Sequence, residues 1–495
     1  MPGNEVPFRP DETAWTMADL QRWNEKILRI VDDIGLNCFT QEFEVCDHEQ
    51  MLGYMAYHGM PAHYPHWSFG KSFERQKTLY DLQLSGLPYE MVINSDPSVA
   101  YLMRGNSLCL QILTMAHVYG HNDFFKNNFT FRHTDPTNVL NRVKVHGNRI
   151  RDYMADPSIG VDKVERILDA CHALSLQVTR NPSVKRHTRA QQEANITAEF
   201  ARNRKGQDSE IHDKVLSGVL DEPLLEDEED LLLLVRDRAP DLSEWERDIV
   251  NIVREDSLYF LPQIETKTIN EGWASFWHHQ IMNALDLPHG IHMEFLVRHH
   301  QVIRPHPGGM NPYHIGFMTW RKIAKEHLGI DDKDDDGGPL PLTTADAAHV
   351  REEMFKVREV DRDVSFLRRF LDEKLMRELD LFEYGPNRQG DLVVSHVSDD
   401  SGWKDVKATL LANMGMGGVP VIKGHKIDAR AGDRLTLKHE VDEVAGEVRE
   451  LEPDNCRHTM EHMYALWRRP VELMTTVDDK EVLYLCDEDG FRMLD

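Results

Sequence analysis

A long apolar helical pattern ends in the stretch Ala116-His117-Val118-Tyr119-Gly120-His121-Asn122-Asp123-Phe124-Phe125. Within it, His117 and His121 are four residues apart, so on a helix both imidazoles leave the same face one turn apart. This is the spacing with which a helix offers two nitrogens to a zinc-like ion. Far along the chain, the segment Asn270-Glu271-Gly272-Trp273-Ala274 supplies a candidate third ligand, Glu271. The sequence therefore predicts a mainly α body with a zincin-like metal site of His117, His121 and Glu271.

The predicted site lacks one part of the familiar metallopeptidase helix. In a His-Glu-x-x-His helix, the glutamate after the first histidine takes a proton from water. Here that position holds Val118, which cannot accept a proton. Glu90, Asp123 and His278 are the available replacements for the base. Either one of them serves, or the site binds metal without hydrolytic chemistry.

Composition narrows the class of protein. The chain has 57 basic and 84 acidic side chains, a formal net charge of −27, which argues against binding to nucleic acid or to an anionic membrane. No stretch approaches the roughly 18–20 apolar residues of a membrane span, and residues 1–12 lack the apolar core of a signal peptide. The six cysteines form no Cys-x-x-Cys pair. These features predict a protein of the reducing cytoplasm.

Hydrophobic periodicity divides the chain into a helical body, residues 1–380, and a smaller C-terminal α+β domain, residues 381–495. The body contains a polar insertion near residues 181–230 and an acidic Gly/Pro linker at residues 331–341. In the C-terminal part, β-type runs surround one helix at Asn455–Arg468. The predicted helices that bear on the outcome are Thr13–Ile34, Phe43–Tyr57, Ser98–Asn122 and Thr344–Glu378. The predicted strands include Tyr89–Asn94, Leu392–Val397, Lys407–Leu411, Val419–Ile427 and Val471–Thr476.

Four further residues are candidates for a catalytic role. His278 follows Glu271 by two helical turns on the same face, which suits a ligand, a residue that supports a ligand, or a hydrogen-bonded core histidine. His66 lies in a loop whose rigid backbone could point the ring into a cleft, or pack it as an aromatic plug. Tyr313 and His314 follow a Pro-rich loop, where a Tyr or His of Glu-type zincins stabilises an oxyanion.

A dinuclear site is an alternative. Asp169 and His172 on one predicted helix have the carboxylate-x-x-His spacing with which helical bundles hold two metals. With His117, His121, Glu271 and His278 they could form a non-haem iron centre. The competing interpretation of Asp169 and His172 is an ordinary pair on a helix surface.

Several long segments are similar to the SpoVR family, named for a stage V sporulation protein. They are Tyr64-Pro65-His66-Trp67-Ser68-Phe69-Gly70-Lys71, Tyr89-Glu90-Met91-Val92-Ile93-Asn94, His117-Val118-Tyr119-Gly120-His121-Asn122-Asp123, Asn270-Glu271-Gly272-Trp273-Ala274-Ser275-Phe276-Trp277-His278 and Asn311-Pro312-Tyr313-His314-Ile315-Gly316. The resemblance implies a soluble cytoplasmic protein, linked in spore formers to the peptidoglycan cortex. In other bacteria the gene neighbours encode a serine protein kinase and a von Willebrand A-type protein, which implies those partners and a stress-response role. It carries over no biochemical activity.

Three hypotheses follow. The first is a metallopeptidase-like protein in which zinc, or alternatively iron or manganese, activates water to hydrolyse an amide bond, for example in a cell-wall precursor. The second is a non-catalytic assembly or regulatory protein on a degenerate metallopeptidase fold, which Val118 favours. The third is a non-haem iron protein. The sequence leaves the oligomeric state open.

Overall fold

The structure is a computed structural model that describes residues 15–82, 90–203, 209–305, 310–335, 337–381, 384–386, 392–394, 402–444 and 447–494. It divides into two compact units, each built from two segments of the chain. The first unit comprises Met1–Gly147 and Pro262–Gly415, and the second comprises Asn148–Leu261 and Met416–Asp495. The segment 148–261 thus groups with the C-terminal residues, while independent folding of residues 381–495 stays a prediction.

Helices dominate the described residues. In chain order they are α1 (Met17–Ile34), α2 (His48–Ala56), α3 (Trp67–Asp81), α4 (Leu108–Asn127), α5 (Val139–Ala155), α6 (Val161–Ala173), α7 (Arg189–Asn203), α8 (Ser209–Leu220), α9 (Leu231–Arg238), α10 (Glu244–Glu265), α11 (Lys267–Ala284), α12 (His289–Ile303), α13 (Pro312–Leu328), α14 (Ala348–Val360), α15 (Asp363–Phe370), α16 (Glu373–Glu378), α17 (Gly402–Ala412) and α18 (Pro453–Trp467).

The strands form small sheets. In chain order they are β1 (Gln41–Cys46), β2 (Glu90–Ile93), β3 (Ser98–Met103), β4 (Tyr384–Pro386), β5 (Leu392–Val394), β6 (Val421–Asp428), β7 (Arg434–Glu440), β8 (Glu443–Val444), β9 (Glu447–Val448), β10 (Val471–Val477), β11 (Lys480–Asp487) and β12 (Gly490–Leu494). In the first unit, β3 lies between β1, which is parallel to it, and β2, which is antiparallel.

Two helices that are buried on nearly all sides form the centre of the first unit. α4 is buried almost continuously from Gln111 to Phe125, and α11 from Thr268 to Met282. A helix without an exposed face belongs inside a core. α4 packs against α11, and α11 packs against α13. The two segments that the sequence singled out are therefore neighbours at the centre of one unit.

In the second unit, a five-stranded sheet has the order β12-β11-β10-β7-β6. β7 and β10 are parallel, and the helix α18 connects them, whereas the other neighbours are antiparallel. α18 buries Met460, Met463 and Trp467, and it packs on β10, β11 and β12. The C-terminal part of the chain is thus a small sheet domain, as predicted. α7 and α8 occupy part of the polar region near residues 181–230, and no residue of α7 is buried.

Two predicted helices begin too early, because each includes a strand. The stretch Phe43–Tyr57 contains the end of β1, whose side chains alternate in burial, and α2 starts only after the capping residue Asp47. Likewise Ser98–Asn122 contains β3, and α4 starts after the capping residue Ser107. β3 is a central strand that is buried on both faces, and such an apolar run has no period of two that would distinguish it from a buried helix.

Two other predictions were wrong further along the chain. The stretch Thr344–Glu378 is three short helices, α14 to α16, instead of one, with Asp372 capping the last of them. Lys407–Leu411 lies within α17 and is not a strand. Residues 395–397 of the predicted strand Leu392–Val397 lie outside the described residues. No helix in the described part of the chain is long and apolar enough to cross a membrane.

Candidate metal centre

His117 and His121 are held on one face of α4 inside the core of the first unit. The side chain of His117 is fully buried, and that of His121 is 5% exposed. Their ring centroids are 4.6 Å apart, as expected for residues one helical turn apart. The predicted pairing of these two imidazoles on a buried helix face is therefore present in the structure.

Glycines allow α4 and α11 to approach closely enough for Glu271 to reach this pair. A Cβ atom on Gly120, between the two histidines, would lie 2.6 Å from the Cα atom of Ala274. On the next face of α11, a Cβ atom on Gly272 would lie 2.3–2.8 Å from backbone atoms of Gly316 in α13. Only glycine fits at such contacts. They bring Glu271 beside the histidines and α13 beside Glu271.

The structure adds a fourth donor, Glu90, the first residue of β2. Its Oε1 atom lies 3.3 Å from His117 Nε2. Glu271 Oε2 lies 3.3 Å from His121 Nε2 and 3.7 Å from His117 Nε2. Glu90, His117, His121 and Glu271 form the four-residue cluster, whose ligand atoms all lie within 4.8 Å of one another. β2 packs against α4, which explains why Glu90 reaches the site.

The spacing of these donors fits a metal ion. Two donors each about 2.0–2.1 Å from a tetrahedral ion lie roughly 3.3–3.4 Å apart. His121 Nδ1 lies 2.9 Å from Asn270 Oδ1, so a neutral His121 that donates this hydrogen bond leaves Nε2 as a bare lone pair. That lone pair faces Glu271 Oε2, a buried carboxylate oxygen that makes no hydrogen bond with good geometry. Two acceptors at this distance repel each other unless a cation lies between them.

The electrostatics of the cluster keep the imidazole of His117 neutral and the carboxylate of Glu271 charged. Burial lowers the pKa of His117 to about 4, against the opposing effect of Glu271. Burial alone would raise the pKa of Glu271, but His121 and His117 outweigh it and hold that pKa well below its usual range. A neutral imidazole and an ionised carboxylate are the forms that bind metal.

Tyr313, at the start of α13, faces the same cluster. Its ring centroid is 6.1 Å from that of His117. Burial, followed by the carboxylates of Glu271 and Glu90, raises the pKa of Tyr313 well above its ordinary value. Tyr313 therefore stays protonated and presents a hydrogen-bond donor at the donor atoms of the cluster.

Hydrogen bonds behind the cluster hold the two imidazoles. On the far side of His121, Asn270 accepts from Nδ1. Behind His117, His278 Nδ1 lies 2.8 Å from His117 Nδ1, and His278 Nε2 lies 2.8 Å from His299 Nδ1. Such partners fix the orientation and tautomer of a metal-binding histidine. His278 therefore lies behind His117 and is not itself a member of the cluster.

The remaining predicted residues lie elsewhere. His66 caps the N-terminus of α3, where its Nδ1 atom accepts from the backbone of Ser68. His314 is next to Tyr313 on α13, and burial lowers its pKa, but it is not a member of the cluster. Asp123 is unavailable as a base, because its carboxylate accepts from Arg358, Trp273 and the backbone of Asn37.

The second predicted pair, Asp169 and His172, belongs to α6 in the second unit. Neither residue is in the four-residue cluster, which is the one group of three or more potential ligands found among the described residues. The described part of the chain thus offers donors for one ion, and the dinuclear alternative has no second set of ligands there.

The sequence did not identify two members of this arrangement in their observed roles. Glu90 was a candidate base, and its place among the donors depends on β2 packing against α4. His299 was not singled out at all. The sequence does contain one signal for it: His299 lies almost three turns into α12, next to His300, in a segment rich in histidine.

Comparisons with known proteins cover most of the chain. A family model described as "SpoVR like protein" matches residues 14–419, which include the whole four-residue cluster. A protein of Escherichia coli (strain K12) named "Uncharacterized protein YcgB" is 32% identical over 500 residues, covering 95% of this chain and 94% of that protein. No solved structure matches significantly.

Proposed function

This chain belongs to the SpoVR family, and on that premise we propose that it is a divalent-metal protein whose ion is bound by His117, His121 and Glu271, with the carboxylate of Glu90 beside them. The observation that supports the proposal best is the arrangement of two imidazoles and two carboxylates at coordination spacing in a buried place. A buried carboxylate oxygen such as Glu271 Oε2, which makes no hydrogen bond with the described residues, is costly to bury, and a bound cation removes that cost.

The donor set suits zinc, and iron or manganese are alternatives. Two imidazole nitrogens and carboxylate oxygens are common ligands of catalytic zinc, whereas the same donors also bind non-haem iron and manganese. Bound there, a divalent ion would act as a Lewis acid on water or a carbonyl group. This is the sense in which the site is zincin-like: a His-x-x-x-His helix with a glutamate from a second helix.

The proposed activity is hydrolysis of an amide bond, with residues of the cluster in defined roles. Glu90 replaces the glutamate that Val118 displaces, since its Oε1 atom is already 3.3 Å from His117 Nε2 and its carboxylate can accept a proton. Tyr313, protonated because of burial and the nearby carboxylates, donates a hydrogen bond to the oxygen on which negative charge develops.

A second function is favoured by the same geometry. If all four residues bind the ion, the coordination shell is closed, and closed four-ligand sites are typical of structural metals. The protein would then be a non-catalytic assembly or regulatory protein, and the kinase and von Willebrand A-type protein that the family resemblance implies would be its partners. The role of Glu90, as a base or as a ligand, distinguishes the two functions.

Elemental analysis of the purified chain tests the metal proposal. We expect about one divalent ion per chain, lost when His117 and His121 are both replaced by alanine. The matched control is His458→Ala with His462→Ala, because this pair has the same four-residue spacing on α18 but belongs to no group of ligands among the described residues. Absence of metal from the unmodified protein, or equal loss in both double variants, would refute the proposal.

Glu90→Gln then separates hydrolase from assembly protein. Glutamine preserves the size of the side chain but is neutral and cannot act as a base. If the protein is a hydrolase with Glu90 as its base, this variant should retain its metal and lose activity on amide substrates. A closed structural site predicts that the variant loses metal affinity, and that the unmodified protein shows no hydrolysis.

A further inference from the structure

Three buried imidazoles form a continuous hydrogen-bonded series that leads away from the four-residue cluster. His117 Nδ1 lies 2.8 Å from His278 Nδ1, and His278 Nε2 lies 2.8 Å from His299 Nδ1. The three residues come from α4, α11 and α12, and their exposed fractions are 0%, 0% and 1%. A series across three helices requires that each ring be held in one orientation.

The imidazoles of this series are neutral. Within the described ranges of the chain, no carboxylate forms an ion pair with His278 or His299, whose ring nitrogens contact other histidines, and a buried cation without such a pair is costly. A neutral imidazole has one N–H donor and one acceptor nitrogen. Hydrogen bonds along the series can therefore run in only two ways: all pointing from His117 outward, or all pointing from His299 inward.

The two directions differ in what His117 offers to the cluster. In the inward direction, His117 accepts on Nδ1 and carries its proton on Nε2, which faces the carboxylate of Glu90 at 3.3 Å. In the outward direction, His117 donates from Nδ1 and its Nε2 atom is a free lone pair, the form that binds metal. His121 has no such choice, because its Nδ1 atom faces the amide oxygen of Asn270.

We propose that His278 and His299 are positioning residues that stabilise the metal-binding tautomer of His117, and that loading of the site reverses the hydrogen bonds of the series. The proposal rests on the proposed function. The protons balance. His117 Nε2 releases one proton to solvent, the Nδ1 proton of His278 moves to His117 Nδ1, the Nδ1 proton of His299 moves to His278 Nε2, and His299 Nε2 takes up one proton from solvent.

Metal affinity tests the positioning role. We expect His278→Leu to weaken zinc binding by about 10–100-fold, the usual effect of removing a partner of a ligand. His278→Gln should restore most of the affinity, because its amide can accept from His117 and donate to His299. The matched control is His279→Leu, the next residue on α11, which is also buried and stacks on His299 with centroids 4.6 Å apart.

If the effect were a general packing defect, His278→Leu and His279→Leu would lose the same zinc affinity, and His278→Gln would not restore it. We expect His279→Leu to bind zinc within about threefold of the unmodified protein. If His278→Leu binds zinc as tightly as the unmodified protein, the positioning role of His278 is refuted and the proposed metal site is unaffected. A chain that binds neither zinc nor iron nor manganese overturns the inference together with the proposed function.

Histidine tautomers can also be measured without a destabilising variant. In protein labelled with 15N-histidine, nitrogen chemical shifts and couplings to ring protons show which nitrogen carries the proton. The signal of His278 is assigned as the one that is missing from the spectrum of His278→Gln. We expect its proton on Nδ1 without metal and on Nε2 with one equivalent of zinc. An unchanged tautomer at saturating zinc would refute the proposed reversal.

Discussion

The close contact of α4 with α11 makes Gly120→Ala a direct test of how the site is assembled. Gly120 lies between His117 and His121, and its missing side chain leaves room for the backbone of Ala274, three residues after Glu271. A methyl group at this position would lie 2.6 Å from the Cα atom of Ala274. Because the neighbouring atom is backbone, the conflict cannot be relieved by turning a side chain.

The size of the effect follows from that distance. Carbon atoms in contact are about 3.5–4.0 Å apart, so α4 and α11 must separate by about 1 Å. Overpacking of a core usually costs about 1–3 kcal/mol, and we expect the upper part of this range. Metal–ligand distances tolerate only about ±0.2 Å, so a shift of this size also separates Glu271 from the histidines. We expect zinc affinity to fall at least tenfold.

Urea unfolding and metal analysis measure these two effects on the same protein. The control is Gly53→Ala in α2, where an added Cβ atom meets nothing within 4 Å. Alanine is the better helix former by about 0.5–1 kcal/mol, so this variant should be equally or more stable. A Gly120→Ala protein with unchanged urea midpoint and unchanged metal content would show that the helix contact does not set the geometry of the site.

Two further predictions concern residues that hold the helices of the site. Asp363 accepts from the backbone N–H groups of Thr268 and Ile269 at the start of α11, so Asp363→Ala should lower the free energy of unfolding by about 0.5–2 kcal/mol, and Asp363→Asn by less. Burial raises the pKa of Asp363 to about 7, so between its ordinary pKa and that value the folded chain keeps a proton that the unfolded chain has released. Stability should therefore fall as pH rises through this window, and urea midpoints of Asp363→Asn should lack that slope. Arg358→Ala leaves the buried carboxylate of Asp123 unpaired, and urea titration should show a loss of about 3–5 kcal/mol; a loss below about 1 kcal/mol would contradict this role.

The sequence predicted the parts of the site that depend on one helix at a time. The spacing of His117 and His121 fixes their common face because the α-helix has 3.6 residues per turn. Glu271 was recognisable because the apolar, glycine-containing segment around it predicts a second core helix. The close packing of these helices could not be predicted, because a glycine such as Gly120 does not show in the sequence which helix will pack against it.

Glu90 and His299 show where prediction from one sequence ends. Glu90 joins the cluster because β2, β3 and α4 fold against each other, and no sequence period links the first residue of a strand to a histidine 27 positions further on. β3 itself was assigned to a helix, since its buried apolar run has no alternation. With β3 assigned to a helix, no predicted sheet places Glu90 near the histidines.

The absence of glutamate at position 118 therefore carries less weight than the helix pattern suggests. Val118 is fully buried and has no group that accepts a proton, so a base at this site must come from another element. β2 places a different carboxylate at the site, with Glu90 Oε1 3.3 Å from His117 Nε2, and we propose that Glu90 replaces the glutamate of a metallopeptidase helix. A general base and a fourth ligand would both be a carboxylate oxygen of Glu90, at almost the same position beside the ion. Chemistry at this site thus depends on whether Glu90 binds the ion or only lies beside it, and that is the difference Glu90→Gln measures.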